Sequence, residues 1–225
     1  MKQTNNPQMI DAPVRVSSIR SAYNLWSVFY GSIVVPMERK PRLRGIELAA
    51  IQPQDRILEV AVGTGAALLE MLKRVDKANV VQGVDLTPGM LEKARRTVTK
   101  AGFANTELRL GDARSLPFED NTFDVLFNSY MLDLIPLADM PAVLGEFRRV
   151  LKKDGRLVLV NMSKEHGITL WERLYSATPA RLVPYLYGGC RPVLMEGYAK
   201  AIGFREVRRE FVKNIISSEV LVARK

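Results

Sequence analysis

Short apolar runs alternate with amphipathic stretches from Arg56 onward, and this order limits the fold more than any other feature of the sequence. Runs such as RILEVAV and NVVQGVDL have the pattern of buried strands. The stretch PGMLEKARRTVTKAG has apolar residues at helical spacing, with Pro88 near its first turn and Gly102 at its end. Strands that alternate with helices in this way predict a parallel sheet with helices on both faces.

The C-terminal part of the sequence departs from this alternation. The stretches FREVRREFV and SEVLVARK both have strand character, and the connection between them is too short for a parallel crossover. We therefore predict an α/β, Rossmann-like fold with a seven-stranded, mostly parallel sheet and an antiparallel C-terminal β-hairpin. Before the fifth strand, MPAVLGEFRRVLKKDG is expected to form a helix that ends at Gly155.

A glycine-containing loop, Ala61 to Gly65, follows the first predicted strand. In a parallel sheet this loop lies at the carboxyl edge, where α/β folds bind ligands, and its glycines allow a tight turn and close contact with a ligand. Asp85 ends the second predicted strand, where a carboxylate can accept hydrogen bonds from both hydroxyls of a ribose. Together these features predict a ligand related to a nucleotide.

Two further carboxylates distinguish between the candidate ligands. Glu59 lies inside the first strand, where it would repel a pyrophosphate but attract an ammonium group such as that of S-adenosylmethionine. Asp112, in GDARSLPF, follows the third strand and can accept a hydrogen bond from the amino group of adenine. An NAD site has no general need for this second acid. The competing interpretation of Glu59 is a core carboxylate whose hydrogen bonds are satisfied by the protein.

The sequence resembles the class I S-adenosylmethionine-dependent methyltransferases in four stretches, which occur in the expected order: ILEVAVGTG, GVDLTPGMLEKAR, GDARSLPFEDNTFDVLF and LKKDGRLVLV. The resemblance covers about residues 55 to 162. It implies a seven-stranded sheet whose last strand is antiparallel, and S-adenosyl-L-methionine as the cofactor.

The resemblance also implies roles for individual residues at the carboxyl ends of the first four strands. The implied cofactor-binding residues are Glu59, Ala61, Gly63 and Gly65 at the methionine part, Asp85 at the ribose, Leu86, Asp112 and Ala113 at the adenine, and Asn128 near the methionine part or the acceptor. Ala61 departs from the family pattern, which usually has a glycine at this position. Its methyl group is expected to narrow the loop and to affect affinity more than the identity of the ligand.

Within the class, the sequence is most similar to the methyltransferases of ubiquinone and menaquinone synthesis and to the bacterial phosphatidylethanolamine N-methyltransferases. DLTPGMLEKAR, LPFEDNTFD and the SKE after the fifth strand carry this similarity. The chain departs from the quinone enzymes at MLDLIP, where they typically have a GLRN-like stretch, and at NMSKE, where they have EFSKP. The expected function is methyl transfer to a small hydrophobic, aromatic or lipid-like acceptor.

Several alternatives remain open at this point. Within the class, the acceptor could be a nucleic acid or a protein. Outside it, the chain could be an NAD-linked oxidoreductase or a catalytically silent protein that binds an adenosine ligand. A nucleic-acid acceptor is disfavoured because NSYM, after the fourth strand, lacks the Pro-Pro-aromatic motif of the amino-methylating DNA enzymes.

The domain prediction is a single methyltransferase domain, residues 1–225, with two additional segments. Residues 1–50 are expected to form an N-terminal helical lid, and residues 163–190 a helical insertion over the acceptor pocket. Aromatic residues in both segments predict an apolar pocket, with core packing as the competing interpretation for each one: Trp26, Phe29, Tyr30, Trp171, Tyr175, Tyr185 and Tyr187.

Four side chains are candidates for a base that accepts a proton from the acceptor during in-line methyl transfer: His166, Tyr23, Tyr30 and Asp133. His166 is the only histidine and follows the fifth strand; a merely exposed loop residue is the competing interpretation. The sequence contains no CxxC and no paired histidines, so no metal site is predicted.

The net charge of +9 favours an anionic partner, with plain solubility as the competing interpretation. LWSVFYGSIVVPM lies between Arg20 and a basic cluster at Arg39–Arg44, so peripheral contact with an anionic membrane is a separate hypothesis. The sequence has one cysteine, Cys190, and neither a secretory signal nor an apolar run long enough to span a membrane. A cytoplasmic protein, peripheral at the membrane in the second hypothesis, is therefore expected.

Overall fold

The computed structural model describes residues 9–12, 36–164, 169–215 and 217–225, without the side chains of Trp171 and Tyr187. Three of the four candidate bases, Tyr23, Tyr30 and His166, lie outside the described residues. Trp26 and Phe29, two of the aromatic residues assigned to the lid, also lie outside them.

Within these ranges the chain forms one seven-stranded sheet in the order β3-β2-β1-β4-β5-β7-β6. The first five strands pair parallel, and β7 pairs antiparallel with both β5 and β6. The predicted sheet with its C-terminal hairpin is therefore confirmed. The strands are β1 (Ile57–Val60), β2 (Val81–Asp85), β3 (Thr106–Leu110), β4 (Phe123–Ser129), β5 (Leu151–Met162), β6 (Arg205–Val212) and β7 (Ser218–Arg224).

Helices pack on both faces because the central strands bury side chains on both. Along β1, Leu58 joins a core cluster with α4 and α7, whereas Ile57 joins a second cluster with α1 and α2. None of the described helices is long and apolar enough to cross a membrane. The helices are α1 (residues 36–48), α2 (Ala66–Leu72), α3 (Pro88–Lys100), α4 (Met140–Val150), α5 (Leu170–Ala177), α6 (Val183–Tyr187) and α7 (Glu196–Ala201).

The helix that was expected to end at Gly155 ends earlier. It stops at Val150, and Leu151 already pairs with Phe123 of β4. The register then shifts before Arg156, and Asp154 has a left-handed φ of 62°, so a bulge and a bend precede the regular part of β5. The prediction was wrong because Lys152–Asp154 shows no apolar alternation and a following glycine usually marks the end of a helix.

The strand order reverses between β1 and β4 and creates the place for a ligand site. From β1 the chain proceeds to β2 and β3 on one side and then returns to β4 and β5 on the other. The loops that leave the carboxyl ends of β1 and β4 therefore diverge, and a cleft opens between them.

Gly45 lets α1 lie directly on the sheet. A Cβ atom at this position would be 2.7 Å from Cγ2 of Val160 and 3.2 Å from Cε2 of Phe127. Gly45→Ala is expected to lower the free energy of unfolding by about 1–3 kcal/mol, because α1 must move away from β4 and β5. Urea unfolding followed by circular dichroism measures this change.

The matched control is Gly145→Ala in α4, where an added Cβ atom would meet nothing within 4 Å. This substitution is expected to raise the free energy of unfolding by about 0.5–1 kcal/mol, because alanine loses less conformational freedom in a helix than glycine. A Gly45→Ala protein as stable as the wild type would contradict the close contact of α1 with the sheet.

Candidate active site

A cleft opens at the carboxyl ends of β1, β2 and β4, and the first turns of α1 contribute to its wall. Its empty volume is about 1050 Å³, including open solvent at the mouth. Seven of the nine residues implied as cofactor-binding line this cleft: Glu59, Ala61, Gly63, Asp85, Leu86, Asp112 and Ala113.

The loop after β1 has a backbone conformation that favours glycine. Ala61, Gly63 and Gly65 have φ values of 61°, 53° and 81°. A Cβ atom on Gly63 would meet nothing within 4 Å, whereas one on Gly65 would lie 3.0 Å from Cα of Ala94 in α3. Gly63 thus leaves open space at the cleft, and Gly65, which is not part of the lining, lets the start of α2 approach α3. Ala61 adopts its left-handed conformation at a cost that a glycine would avoid.

Asp85, at the end of β2, fixes this loop. Its Oδ2 accepts a hydrogen bond from the N–H of Gly63 at 2.9 Å, and its Oδ1 accepts one from the N–H of Thr87 at 2.9 Å. Burial raises the pKa of Asp85, and the N–H groups of Gly63 and Thr87 oppose that rise. The carboxylate therefore joins the ends of β1 and β2, and its further lone pairs can accept hydrogen bonds from a ligand hydroxyl.

Glu59 places a second carboxylate in the buried wall of the cleft. Among the residues that the structure describes, its Oε2 has no hydrogen-bond partner. Burial raises the pKa of Glu59 well above its usual range; Arg42 opposes this rise and Asp85 adds to it. The N–H of Leu68 in α2 also opposes the rise in pKa. Because Oε2 still lacks a donor among the described residues, Glu59 is not a core residue whose hydrogen bonds are all satisfied by them. A cationic donor supplied by a ligand would compensate it.

The first turns of α1 add a buried ion pair to the same cleft. Nη2 of Arg42 lies 2.5 Å from Oε2 of Glu38, and both side chains line the cleft. The guanidinium carbon of Arg42 also lies 6.0 Å from the centre of the Tyr130 ring. Sequence reasoning missed Glu38 and placed Arg42 in an exposed basic cluster. The spacing of the two residues, one helical turn apart, is the signal that could have identified the pair.

The basic cluster Arg39–Arg44 is consequently not one free cationic surface. Arg42 is buried, as described above, and Arg44 donates hydrogen bonds of 2.6 and 2.8 Å to the two carboxylate oxygens of Glu210 in β6. Nζ of Lys40 donates to a backbone carbonyl just after β6. These contacts weaken the hypothesis that this cluster attracts an anionic membrane.

Asp112 and Ala113 follow β3 at the rim of the cleft. Nε of Arg114 donates to Oδ1 of Asp112 at 3.0 Å, and Nη2 donates to Oδ2 at 2.6 Å. Nη1 of Arg114 reaches Asp139 at 3.0 Å. The sequence did not predict this bridge from Asp112 through Arg114 to Asp139. The bridge holds the Asp112 carboxylate in one orientation beside Leu86.

The chain after β4 differs from what the sequence implied. Asn128 is buried and is not among the residues that line the cleft; its Nδ2 donates to the carbonyl of Val60 at 2.8 Å. Tyr130 lines the cleft instead, with a left-handed φ of 52° and its hydroxyl 2.8 Å from Oγ of Ser218. A non-glycine residue in this conformation carries strain of a kind that clusters at functional sites. Asn128 thus joins β4 to β1 behind the cleft wall, and Tyr130 forms part of the wall.

Asp133 is the one candidate base that lies among the described residues. It is fully buried, and neither carboxylate oxygen accepts a hydrogen bond of ordinary geometry from a described residue. Burial raises the pKa of Asp133 to about 7; Glu38 adds to the rise and Arg191 opposes it. The cleft is lined by its neighbours Leu134 and Ile135 and not by Asp133 itself. Asp133 therefore lies directly behind the wall.

Two described aromatic side chains of the 163–190 segment do not line the cleft, so the expected aromatic lining is wrong for them. Tyr175 is buried between Ala12 and Val183, and its hydroxyl donates to the carbonyl of Gly189 at 2.7 Å. Tyr185 is exposed. The apolar wall after β4 is formed instead by Met131, Leu134 and Ile135.

Comparison with known proteins identifies the family. The family described as a methyltransferase domain matches residues 57–155. A demethylmenaquinone methyltransferase of Listeria monocytogenes is 31% identical over 172 residues, which cover 76% of this chain and 70% of that protein. A ubiquinone/menaquinone biosynthesis C-methyltransferase of Teredinibacter turnerae is 33% identical over 142 residues, 63% of this chain. The match spans little more than half of the Teredinibacter protein, 56% of its length.

A solved structure shows the same fold. The Haemonchus contortus phosphoethanolamine N-methyltransferase 2, in complex with phosphomonomethylethanolamine and S-adenosylhomocysteine, superposes with a TM-score of 0.72 at 18% identity, covering 92% of this chain and 60% of that chain. The sequence matches include the loop after β1, the acid that ends β2 and the acid that follows β3, all of which meet at one cleft. The chain therefore belongs to the class I S-adenosylmethionine-dependent methyltransferases, near the group of ubiquinone and menaquinone C-methyltransferases.

Proposed function

We propose that this protein transfers a methyl group from S-adenosyl-L-methionine to a small hydrophobic acceptor of the quinol, phenol or lipid type. The observation that carries the proposal is the unpartnered buried carboxylate oxygen of Glu59 beside a glycine loop fixed by Asp85. When bound, this cofactor supplies a methyl group on a positively charged sulfur.

The residues of the cleft fit this cofactor in charge and shape. Glu59 offers a buried acceptor to an amino group, and Asp85 offers lone pairs to ribose hydroxyls. Gly63 leaves open space where a ligand can touch the backbone. Leu86 and Met90 supply apolar surface for a flat base.

The same charges disfavour an NAD-linked oxidoreductase. In dinucleotide-binding folds the pyrophosphate lies at the loop after the first strand, next to a helix N-terminus. Here Glu59 brings a buried carboxylate to that loop, whereas Asp85 is compatible with the ribose of either ligand. A pyrophosphate would be repelled by Glu59.

The acceptor side is assigned from the apolar wall and from the relatives. Met131, Leu134 and Ile135 form an apolar surface next to Tyr130, which suits a flat acceptor with an apolar substituent. The two relatives named for quinone methylation support a quinol ring, whose methylation releases a proton. Asp133, directly behind this wall, and His166, Tyr23 and Tyr30, known from the sequence alone, stay candidates for the base.

The proposed function is tested by turnover. Protein is incubated with methyl-tritiated cofactor and with short-chain demethylmenaquinol, a simple phenol, or phosphatidylethanolamine in detergent. The expected result is label in the quinol or phenol product, and loss of that label in Asp85→Asn, which lacks the carboxylate for the ribose. Tight binding of S-adenosylhomocysteine without transfer to any of the three acceptors would overturn the proposal and leave the silent binding protein.

Glu59→Gln is expected to have opposite effects on binding and on stability. The affinity for S-adenosylhomocysteine should fall about 10- to 100-fold, because a charge-assisted hydrogen bond contributes roughly 1.5–3 kcal/mol. The ligand-free protein should melt at a higher temperature at pH 8, because the buried charge is removed. Titration calorimetry and thermal denaturation measure the two effects, with the exposed Glu119→Gln as the control that changes neither.

The stability effect of Glu59→Gln has a defined dependence on pH. Burial raises the pKa of Glu59, so between its ordinary and its raised pKa the unfolded chain binds fewer protons than the folded protein. In that window the wild-type protein loses stability as the pH rises. The advantage of the variant should therefore be absent below the ordinary pKa and grow above it. A constant difference at every pH would contradict the burial of this charge.

Ala61→Gly tests the conformation of the loop after β1. Removing the left-handed alanine is expected to raise the free energy of unfolding by about 0.5–1 kcal/mol. This value is the backbone strain that the substitution relieves minus the larger conformational entropy that glycine loses on folding. Ala50→Gly is the matched control, since Ala50 has a φ of 47° and is not part of the cleft. Both variants should gain stability, and only Ala61→Gly should change the affinity for S-adenosylhomocysteine. An altered affinity in Ala50→Gly would contradict this assignment.

A further inference from the structure

Helix α5 buries polar groups and exposes leucines. Glu172 and Tyr175 are fully buried, whereas Leu170 and Leu174 are 73% and 55% exposed. Nζ of Lys164 lies 2.5 Å from Oε1 of Glu172, and both side chains are buried. The helix is therefore held in this orientation from inside, and the leucines face outward because the ion pair requires it.

The N-terminus of α5 fixes the same orientation a second time. Oγ1 of Thr169 accepts a hydrogen bond from the N–H of Glu172, and the carboxylate of Glu172 accepts one from the N–H of Thr169 at 2.8 Å. This capping box uses both residues at the first turn. Rotation of the helix to hide its leucines would break the cap as well as the ion pair.

Helix α6 and the residue before it also expose apolar side chains. Val183 and Pro184 are buried, whereas Leu182, Tyr185 and Leu186 are exposed, Leu186 by 62%. The two helices and Leu182, directly before α6, carry five of the nine large hydrophobic side chains that are exposed among the described residues. We name these five the α5–α6 surface: Leu170, Leu174, Leu182, Tyr185 and Leu186.

Two exposed arginines adjoin the leucines of this surface in the chain. Arg173 and Arg181 are both exposed, and neither forms an ion pair with a described residue. Glu172, the only acidic residue between positions 169 and 187, is buried against Lys164. Exposed leucines with adjacent unpaired arginines are typical of surfaces that lie in the interface of an anionic bilayer.

The buried side of α5 is connected to the wall of the cleft. The Tyr175 hydroxyl bonds to the carbonyl of Gly189, and a Cβ atom on Gly189 would lie 3.0 Å from Cδ2 of Leu134. Arg191 donates hydrogen bonds to the carbonyls of Asp133 at 3.0 Å and of Ile135 at 2.8 Å. The α5–α6 surface and the apolar wall of the cleft thus belong to one packed unit.

We propose that the α5–α6 surface docks on an anionic lipid bilayer. The leucines enter the acyl boundary, and Arg173 and Arg181 lie at the level of the lipid phosphates. The further step, that an acceptor dissolved in the bilayer reaches the cleft beside Leu134, rests on the proposed function; the docking itself does not. A second copy of the chain or a partner protein is less well matched, because the exposed charged side chains of the segment 169–187 are both arginines.

The experiment is co-sedimentation with vesicles of phosphatidylcholine containing about one third phosphatidylglycerol, and with vesicles of phosphatidylcholine alone. Leu174→Ser/Leu186→Ser is expected to lower the partition coefficient about tenfold or more on the anionic vesicles. Arg173→Gln/Arg181→Gln should lower it on the anionic vesicles only. The control Val80→Ser/Phe211→Ser, which removes exposed apolar side chains elsewhere, should bind like the wild type.

Wild type that stays in the supernatant, or a leucine variant that sediments like the wild type, would overturn the proposal. A leucine variant that changes the oligomeric state in the absence of vesicles would overturn it in favour of a protein partner. All variants are also assayed for S-adenosylhomocysteine binding and for methyl transfer to a soluble short-chain acceptor, and both are expected to be unchanged. Vesicle binding without any methyl transfer would overturn the proposed function and uphold the docking. Methyl transfer without vesicle binding would uphold the proposed function and overturn the docking.

Discussion

The buried carboxylate of Glu59, whose Oε2 lacks a hydrogen-bond donor among the described residues, is the constraint on which the rest of the site depends. This carboxylate lies in the first strand, at the point where the strand order reverses, and burial raises its pKa. An apolar residue could be buried there at no such cost, so the acid lowers the stability of the protein unless a donor compensates it. Asp85 adds a second buried carboxylate a short distance away, stabilised by the N–H groups of Gly63 and Thr87. Negative charge is therefore concentrated at the loop after β1, where it favours a cationic group over an anionic one.

The positive charge of Arg42 offsets part of this negative charge. It opposes the raised pKa of Glu59, pairs with Glu38 and lies near the ring of Tyr130. Because Glu38 and Arg42 are on α1, that helix contributes both charge and wall to a site whose other parts are the ends of strands. Gly45 makes this arrangement possible, since only a residue without a Cβ atom lets the helix lie so close to β5. The packing of α1 against the sheet therefore also determines which charged groups of this helix lie in the cleft.

The sequence predicted the parts of the fold and site that depend on local pattern. Strand and helix alternation gave the sheet and its hairpin, and the motifs located Glu59, Asp85 and Asp112 at one cleft. Features set by contacts between distant segments were missed. The bridge from Arg114 to Asp139 joins residues that are far apart in the chain. The burial of the Asn128 side chain depends on its hydrogen bond to Val60 of the neighbouring strand β1. The bend at Asp154 was missed because pairing with β4, rather than helix propensity, determines the conformation of Leu151.

The orientation of α5 shows why a hydrophobic pattern alone could not locate the acceptor side. The aromatic residues of the 163–190 segment suggested a pocket lining, yet Tyr175 is buried in a small cluster of its own and Tyr185 faces solvent. The buried pair of Lys164 and Glu172 and the capping box at Thr169 favour the observed orientation, because a rotated helix would separate the two charges and lose the cap. The leucines of α5 therefore face outward although the hydrophobic effect alone would favour their burial. Polar contacts on the buried side of α5 fix which side faces outward, and a hydrophobic pattern in the sequence does not record them.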